Sequence, residues 1–189
     1  NKPRDQGLQG TCAAHTAATM KEYQENLDIE FKEYFSPQFI YNLRVNQGDE
    51  GMYSRDVMKI LHKIGIVSEE KYPYELIEGS DKIDGKLKEE ASNHKIKSYG
   101  QIHTIETLKK ALYRNGPCLI AFPVYNFSER MWFKNEKDVD YGGHAMTVVG
   151  YNKEGFIIRN SWGENWGDNG YCIYSYDDWD SHWEIWTTI

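Results

Sequence analysis

The sequence predicts an α+β fold, with helices in the first half of the chain and short strands in the second. Up to residue 64, apolar residues recur at spacings of three and four, the period of an amphipathic helix. After Gly116-Pro117, the apolar segments are short, rich in β-branched and aromatic residues, and separated by Gly, Asn and Asp. The 189 residues suffice for one domain with a packed core, or for two small lobes that share an interface.

Start and stop signals place the helices. Ser36-Pro37 is an N-cap followed by Pro at the first helical position, and Gly65 can close the helix that follows Ser54. The polar segment 79–90 predicts a solvated loop with room for one short helix. The predicted helices begin at Thr11 or Cys12, at Pro37 (continuing to about Val45), after Ser54 (ending at Gly65), and at Ile105 (ending at Arg114).

Strand patterns occupy the second half, and around residues 95–102 the helical period already shifts towards alternation. Strands are predicted over residues 118–124, 145–151, 156–159, 171–174 and 184–188. Because helices come first and strands second, we expect a mainly helical lobe over residues 1–100 and a mainly β lobe over residues 101–189. A cleft is expected where the two lobes meet.

Composition and charge exclude several classes of function. The net charge is −7 and Lys and Arg form no dense run, so we expect no nucleic-acid partner. The longest apolar run, residues 118–122, is too short to span a bilayer and no signal segment opens the sequence, so we expect no membrane association. The histidines and cysteines lack metal-ligand spacing, and we expect neither a metal nor a cofactor.

The three cysteines do not form a disulfide framework, so the fold does not depend on oxidation. Cys118 and Cys172 lie in apolar and aromatic strands and are predicted to be core residues. This cysteine usage suits a reducing compartment and leaves the localisation open.

Cys12 lies in a different context, at the end of the segment Gln6-Gly7-Leu8-Gln9-Gly10-Thr11-Cys12. The glycines and the polar turn deliver this cysteine to the first turn of an alanine-rich helix. There the unpaired N–H groups and the helix dipole favour the thiolate, which is the nucleophilic form. The alternative is that Cys12 is a small apolar residue on a packed helix.

Two motifs in the second half supply what a thiolate would need, namely Gly142-Gly143-His144 and Asn160-Ser161-Trp162-Gly163. Together with the Cys12 segment they resemble the papain-like cysteine peptidases. His144 and Asn160 follow Cys12 by 132 and 148 residues, within the range of about 130–150 that this family shows. Further landmarks resemble the family along nearly the whole chain: Ser36-Pro37-Gln38, Gly65-Ile66, Tyr72-Pro73-Tyr74 and Gly116-Pro117.

The sequence departs from the family's C-G-[SA]-C-[WY] signature at three positions, where it has Gln9, Thr11 and Ala13. Gln9 removes a cysteine that usually forms a disulfide, so the chain resembles bacterial or viral branches of the family more than lysosomal ones. The resemblance implies a two-lobe fold with a helical N-terminal lobe and a barrel-like β lobe.

The resemblance also implies a role for each site residue in a cysteine-type endopeptidase. Cys12 is the expected nucleophile, His144 the base with which it forms a thiolate–imidazolium pair, and Asn160 the residue that orients His144. Trp162 is expected to cover the bond between His144 and Asn160. The backbone N–H of Cys12 and the side-chain amide of Gln6 are the expected oxyanion donors.

Alternatives exist for these assignments. His15, three residues beyond Cys12, is a rival base, and Gln6 could merely brace its loop. A relative of this fold could be a catalytically silent peptide-binding protein, or it could pass the thioester to an amine or thiol as an acyl transferase or ligase.

The predicted substrate-binding segment runs from Asp49 to Tyr53, where the family has a glycine-rich strand. Gly51 is retained, but Met52 replaces a second glycine and alters the pocket wall. The predicted lining favours an apolar or aromatic side chain, with Asp49 and Glu50 attracting a basic one nearby. The residues expected to line the pocket are Gly51, Met52, Tyr53, Val124, Gly143 and Ala145.

The expected partners follow from the same resemblance. They are a protein or peptide substrate and an inhibitory prosegment or protein inhibitor, which would make the chain the trimmed, mature form of a zymogen. We expect this form to be a monomer.

Overall fold

The computed structural model of the chain describes residues 2–28, 33–76 and 79–189. The α-helices in these ranges are α1 (Cys12–Asp28), α2 (Pro37–Asn42), α3 (Ser54–Lys63), α4 (Gly85–Ala91) and α5 (Ile105–Asn115). The strands are β1 (Tyr99–Ile102), β2 (Cys118–Pro123), β3 (Gly143–Tyr151), β4 (Gly155–Arg159), β5 (Tyr171–Ser175) and β6 (Glu184–Thr188). Of these elements, four of the five helices precede the first strand and five of the six strands follow α5, which confirms the α+β prediction.

The predicted helices are confirmed, with one correction at the end of α2. This helix begins as predicted, because the Ser36 hydroxyl accepts a hydrogen bond from the Phe39 N–H at 3.0 Å. It ends at Asn42 and not near Val45. The Asn42 side chain donates to the Tyr72 hydroxyl and to the Leu76 carbonyl, both at 2.7 Å, and these tertiary bonds compete with continuation of the helix.

The polar segment 79–90 contains more helix than predicted. A short 3₁₀ turn spans Ser80–Lys82, and α4 begins in the segment and continues to Ala91. The Asp84 side chain caps α4 by accepting from the Leu87 N–H at 2.8 Å.

The six strands form one antiparallel sheet in the order β1-β6-β2-β3-β4-β5. All five predicted strands are confirmed to within two residues at either end. β1 and β5 lie at the two ends of this strand order. β3 begins at Gly143, two residues earlier than predicted, since Gly143 and His144 pair with Pro123 and Phe122 of β2. This pairing places His144 on a strand.

The core consists of two adjoining clusters of buried residues. In the first, four alanines of α1 (Ala13, Ala14, Ala17 and Ala18) are at most 1% exposed, which lets α1 pack closely against α2, α3 and the sheet. The second lies between the sheet, α5 and the segment around Trp132. Leu119, Ala145 and Trp186 of the sheet belong to the first cluster, so the two cores meet at β2, β3 and β6.

The division into lobes at residue 100 stays a prediction. β1 runs across that position and pairs with β6. None of the described helices has both the length and the apolar character that crossing a bilayer requires.

Candidate active site

Cys12 is the first residue of α1, and this partly exposed residue lines a cleft. The backbone N–H of Ala145 on β3 donates to its Sγ at 3.4 Å. The loop before Cys12 lies tightly against the segment around Gly51, where a Cβ added to Gly10 would be 2.6 Å from the Gly51 nitrogen. Only glycine at position 10 allows this approach of two backbones. The helix start, the sheet and this loop contact together fix the position of the sulfur.

His144 is held by Asn160, with 2.7 Å between the ring Nε2 and the side-chain Oδ1. The backbone N–H of Ser161 lies 2.8 Å from the same Oδ1. Since a backbone N–H can only donate, the atom it meets must be the oxygen, and this fixes the orientation of the Asn160 amide. Nε2 of His144 therefore carries the proton, and Nδ1 keeps a lone pair that can accept one.

Trp162 covers the ring of His144. The two rings are stacked with centroids 4.4 Å apart and planes 27° apart. Trp166 and Phe127 pack against Trp162 in turn, each with a centroid distance of 5.7 Å. Because His144 and Asn160 are only 4% and 3% exposed, their hydrogen bond lies in an environment from which water is largely excluded.

Gln6 is fixed from three directions. Its backbone N–H donates to the Ser161 carbonyl at 2.8 Å, and its Oε1 accepts from the Ser161 hydroxyl at 2.7 Å. Its Nε2 donates to the Gln9 carbonyl at 2.9 Å. The side chain therefore braces the loop that precedes Cys12. This bonding uses one of its two amide hydrogens and leaves the second for another acceptor.

Burial favours the uncharged forms of both Cys12 and His144. Desolvation raises the pKa of the Cys12 thiol, although the N–H groups of Ala145, Ala13 and Cys12 itself act in the opposite direction. Desolvation lowers the pKa of His144 to about 4, against the opposing effect of the hydrogen bond that His144 donates to Asn160. Each charge taken alone is therefore unfavourable here. The thiolate–imidazolium pair stays a prediction, and it requires that the two charges form together and compensate each other.

His15, the rival base, lies behind this site. Its Nδ1 is 3.2 Å from the Thr11 carbonyl, its ring meets the edge of Tyr74, and it is absent from the described lining of the cleft. Desolvation and, next, the positive charge of Arg4 lower the pKa of His15 to about 3. This placement disfavours His15 as the base.

The cleft has a volume of about 380 Å³ and brings together Cys12 and His144. Five of the six residues that were predicted to line the pocket lie along it: Gly51, Met52, Tyr53, Gly143 and Ala145. Val124 does not, and the expectation that it lines the pocket is wrong. Val124 follows β2 and is buried in the second core cluster.

Sequence reasoning missed further residues of the cleft. Trp183 and Glu184 stand at the start of β6, and β2 brings them to the site because Ala121 pairs with Glu184 on one side and with Ala145 on the other. A Cβ on Gly143 would lie 2.3 Å from the Trp183 ring, so a larger residue there would displace this exposed side chain. Asn46, Ser54 and Ala121 complete the missed set. No local signal in the sequence reports such strand pairing.

The cleft is acidic. Of its described lining residues, Asp49, Glu50 and Glu184 are acidic and none is Lys or Arg. The Trp186 indole N–H donates to the Glu184 carboxylate at 2.9 Å and thereby restrains it. The cleft thus presents negative charge to whatever enters it.

The other two cysteines are core residues, as predicted. Cys118 is fully buried and Cys172 is 4% exposed. Burial raises the pKa of each thiol to about 12, so neither is a nucleophile near neutral pH. All three cysteines are free, in accord with the absence of a predicted disulfide framework.

A cysteine that starts a buried helix lies in one cleft with a histidine of an antiparallel sheet, and an asparagine orients that histidine; this arrangement defines a papain-like architecture. Comparison with known proteins agrees, since the family model "Papain family cysteine protease" matches residues 1–185. The chain belongs to this family.

Individual relatives extend the comparison. The chain is 30% identical, over 198 residues, to an uncharacterized peptidase C1-like protein of Acanthamoeba polyphaga mimivirus, with 91% of this chain and 63% of the relative covered. The structure is similar to that of xylellain, a cysteine protease from Xylella fastidiosa, at a TM-score of 0.84 and 28% identity, covering 100% of this chain and 82% of that one. The fold also matches digestive procathepsin L 3 of Tenebrio molitor at a TM-score of 0.76 and 20% identity, covering 100% of this chain and 66% of that one. The chain spans between half and two thirds of the length of the curated relatives it matches.

Proposed function

We propose that this chain is a cysteine-type endopeptidase that hydrolyses peptide bonds through a thioester intermediate. The observation that carries the proposal is that Cys12 and His144 line one cleft while Asn160 fixes the tautomer of His144. Membership in the papain family supports the same conclusion.

In the proposed reaction, Nδ1 of His144 takes the thiol proton of Cys12 to give the thiolate–imidazolium pair, and the thiolate attacks the substrate carbonyl carbon. The carbonyl oxygen becomes an oxyanion, for which the Cys12 backbone N–H and the second amide hydrogen of Gln6 are the proposed donors. One such donor is typically worth about 10²–10³ in rate.

Collapse of this intermediate breaks the C–N bond. The proton on His144 passes to the leaving amine, and the acyl group stays on Sγ as a thioester. His144, again neutral, then takes a proton from a water molecule that attacks the thioester carbon. Release of the carboxylic acid product returns that proton to the thiolate and restores Cys12.

The same cleft is the proposed substrate-binding site. Met52, Tyr53 and Ala145 supply apolar surface, while Gly51 and Gly143 leave backbone accessible to an extended peptide. The acidic side chains along the cleft favour a basic substrate side chain nearby.

A partner is proposed for this cleft besides the substrate. Digestive procathepsin L 3 of Tenebrio molitor, which shares the fold, is by its name a proenzyme. We propose that an inhibitory prosegment or a protein inhibitor occupies the cleft before activation, and that the active chain is a monomer. Size-exclusion chromatography coupled to light scattering tests the oligomeric state.

Two other functions use the same fold. A silent peptide-binding relative would have no need of Cys12, His144, Asn160 and Gln6 together, and their presence favours an enzyme. An acyl transferase or ligase would share the thioester, and adding an amine acceptor to the assay distinguishes it. A new amide product would favour transfer, whereas acid product alone favours hydrolysis.

Labelling with an epoxide-type thiol inhibitor, read by intact-protein mass spectrometry, tests the nucleophile. We expect one adduct on the protein and none on Cys12→Ala. Because Cys118 and Cys172 are buried, they serve as internal controls. An adduct that persists in Cys12→Ala, or no adduct on the unmodified chain, would contradict the proposal.

A further inference from the structure

A small polar cavity lies beside Asn160, and none of its described lining residues also lines the cleft. It has room for the centre of a water molecule over about 10 Å³, which is about what one water requires. The lining includes two buried side chains that matter here, Asn160 and His15, which are 3% and 4% exposed. The other lining residues are Arg4, Thr16, Thr19, Thr147, Arg159 and Ser161.

Asn160 has an unmet donor at this cavity. Its Oδ1 accepts from both the Ser161 N–H and His144, so its Nδ2 is forced to the opposite side of the amide. That Nδ2 is buried and has no hydrogen-bond partner among the described residues. Buried amide donors nearly always have a partner, either in the protein or in an ordered water.

His15 has an acceptor at the same cavity. Its Nδ1 meets the Thr11 carbonyl, which can only accept, so Nδ1 carries the proton and Nε2 keeps the lone pair. The ring is uncharged at neutral pH because burial and Arg4 lower its pKa to about 3. The lone pair of a neutral imidazole is a suitable acceptor for a water O–H.

We propose that one ordered water occupies this cavity, accepts a hydrogen bond from Asn160 Nδ2 and donates one to His15 Nε2. His15 is then a positioning residue, because the bridge opposes rotation of the Asn160 amide and so preserves the orientation of His144. The water is proposed on the geometry alone, whereas the role of His15 in turnover rests on the proposed function.

A water fits the charge of the cavity better than an anion does. Arg4 is already paired with two carboxylates, those of Glu22 and Glu69, and Arg159 donates to the Lys2 carbonyl. The cavity is also no larger than a single water requires, and a chloride ion is larger than a water molecule.

The water is tested by NMR on the whole chain, using magnetisation transfer from water to the side-chain amide of Asn160. We expect a cross-peak between bound water and the Asn160 amide protons. It should disappear in His15→Phe, which removes the acceptor, and persist in His15→Gln, which places a terminal amide near the former Nε2. His182→Phe is a matched control, since His182 bonds Tyr174 in the other core cluster and does not line the cavity.

The positioning role is tested by the ¹⁵N shifts of His144, which report its tautomer, and by steady-state kinetics. His15→Phe should reduce the fraction of His144 with a protonated Nε2 and lower kcat about tenfold with little change in KM, whereas His15→Gln should restore both. His182→Phe should leave both unchanged.

Several results would overturn the inference. A missing cross-peak in the unmodified chain, or one that persists in His15→Phe, excludes the water bridge. An Asn160 signal that depends on chloride at constant ionic strength shows an anion instead. If His15→Phe and His15→Gln lose kcat equally and the His144 tautomer is unchanged, His15 contributes only to the stability of the fold and does not position Asn160. If the unmodified chain cleaves no peptide although the cross-peak is present, the proposed function fails while the water remains.

Discussion

At the scale of the residue, the site depends on which atom of each side chain carries a proton. The Ser161 N–H identifies the oxygen of Asn160, that oxygen identifies the protonated nitrogen of His144, and the remaining nitrogen is left to serve as the base. The motif Asn160-Ser161-Trp162 thus determines the tautomer of His144. The backbone N–H of Ser161 orients the Asn160 amide, and the amide oxygen then selects the protonated nitrogen of His144.

Replacing either Cys12 or His144 should nearly abolish peptide hydrolysis. Cys12→Ala and His144→Ala are each expected to lower kcat/KM on a fluorogenic peptide by at least about 10³, since the nucleophile and the base act as a unit. His15→Ala should mainly lower the free energy of unfolding. Its loss of turnover should be about tenfold, far smaller than that of His144→Ala. If His15→Ala in a folded protein is as inactive as His144→Ala, the assignment of the base is wrong.

The buried histidines should lower the free energy of unfolding at acidic pH. His15 and His144 have pKa values lowered to about 3 and about 4, so between pH 4 and 6.5 the unfolded chain binds protons that the folded chain does not. The free energy of unfolding should therefore rise with pH across this window, by up to about 1.4 kcal/mol per pH unit for each histidine, and level off above it.

Denaturant unfolding at a series of pH values measures this slope. In His15→Gln the slope between pH 4.5 and 6 should be smaller than in the unmodified chain, because one of the titrating histidines is gone. His182→Phe is a second variant for comparison, since burial lowers the pKa of His182 as well. A stability that is flat across the window would contradict the neutral, buried state of both rings.

At the scale of the element, the sequence predicted what is encoded locally. The N-cap at Ser36, the stop at Gly65 and the strand patterns are all short-range signals, and the elements they predict were confirmed. The early end of α2 was missed because Asn42 bonds to residues 30 and more positions away. The cleft residues Trp183 and Glu184 were missed for the same reason, since only the pairing of β6 with β2 brings them to the site.

The contact between the Cys12 loop and the Gly51 segment should be sensitive to a single methyl group. In Gly10→Ala the new Cβ would lie 2.6 Å from the Gly51 nitrogen, so one backbone must move. We expect a loss of about 1–3 kcal/mol in the free energy of unfolding, because an added methyl here has no space. Displacement of the adjacent sulfur should reduce kcat/KM as well.

Gly48→Ala is the matched control for this substitution. Gly48 lies three residues before Gly51, and a Cβ there would meet nothing within 4 Å. Thermal unfolding and kcat/KM should change little in this variant. If the two alanine variants behave alike, the close approach at Gly10 does not constrain the site.

At the scale of the whole molecule, the N-terminal segment and the sheet hold the site together. Arg4 connects this segment to α1 and to Glu69, while Gln6 joins it to Ser161 beside the histidine–asparagine pair. Cys12 and His144 are 132 residues apart in the chain, yet a short backbone contact from Ala145 joins the two halves at the sulfur. The cleft is therefore a property of the complete fold, and its charge is set by both halves.

The acidic cleft and the net charge of −7 should both attract positively charged substrates. Peptides with Lys or Arg near the cleavage site should have higher kcat/KM than matched Gln peptides, and added salt should reduce the difference. Glu184→Gln should lower the preference about threefold or more, whereas Glu164→Gln, outside the described cleft lining, should not. A preference that neither salt nor Glu184→Gln changes would mean that shape, and not charge, selects the substrate.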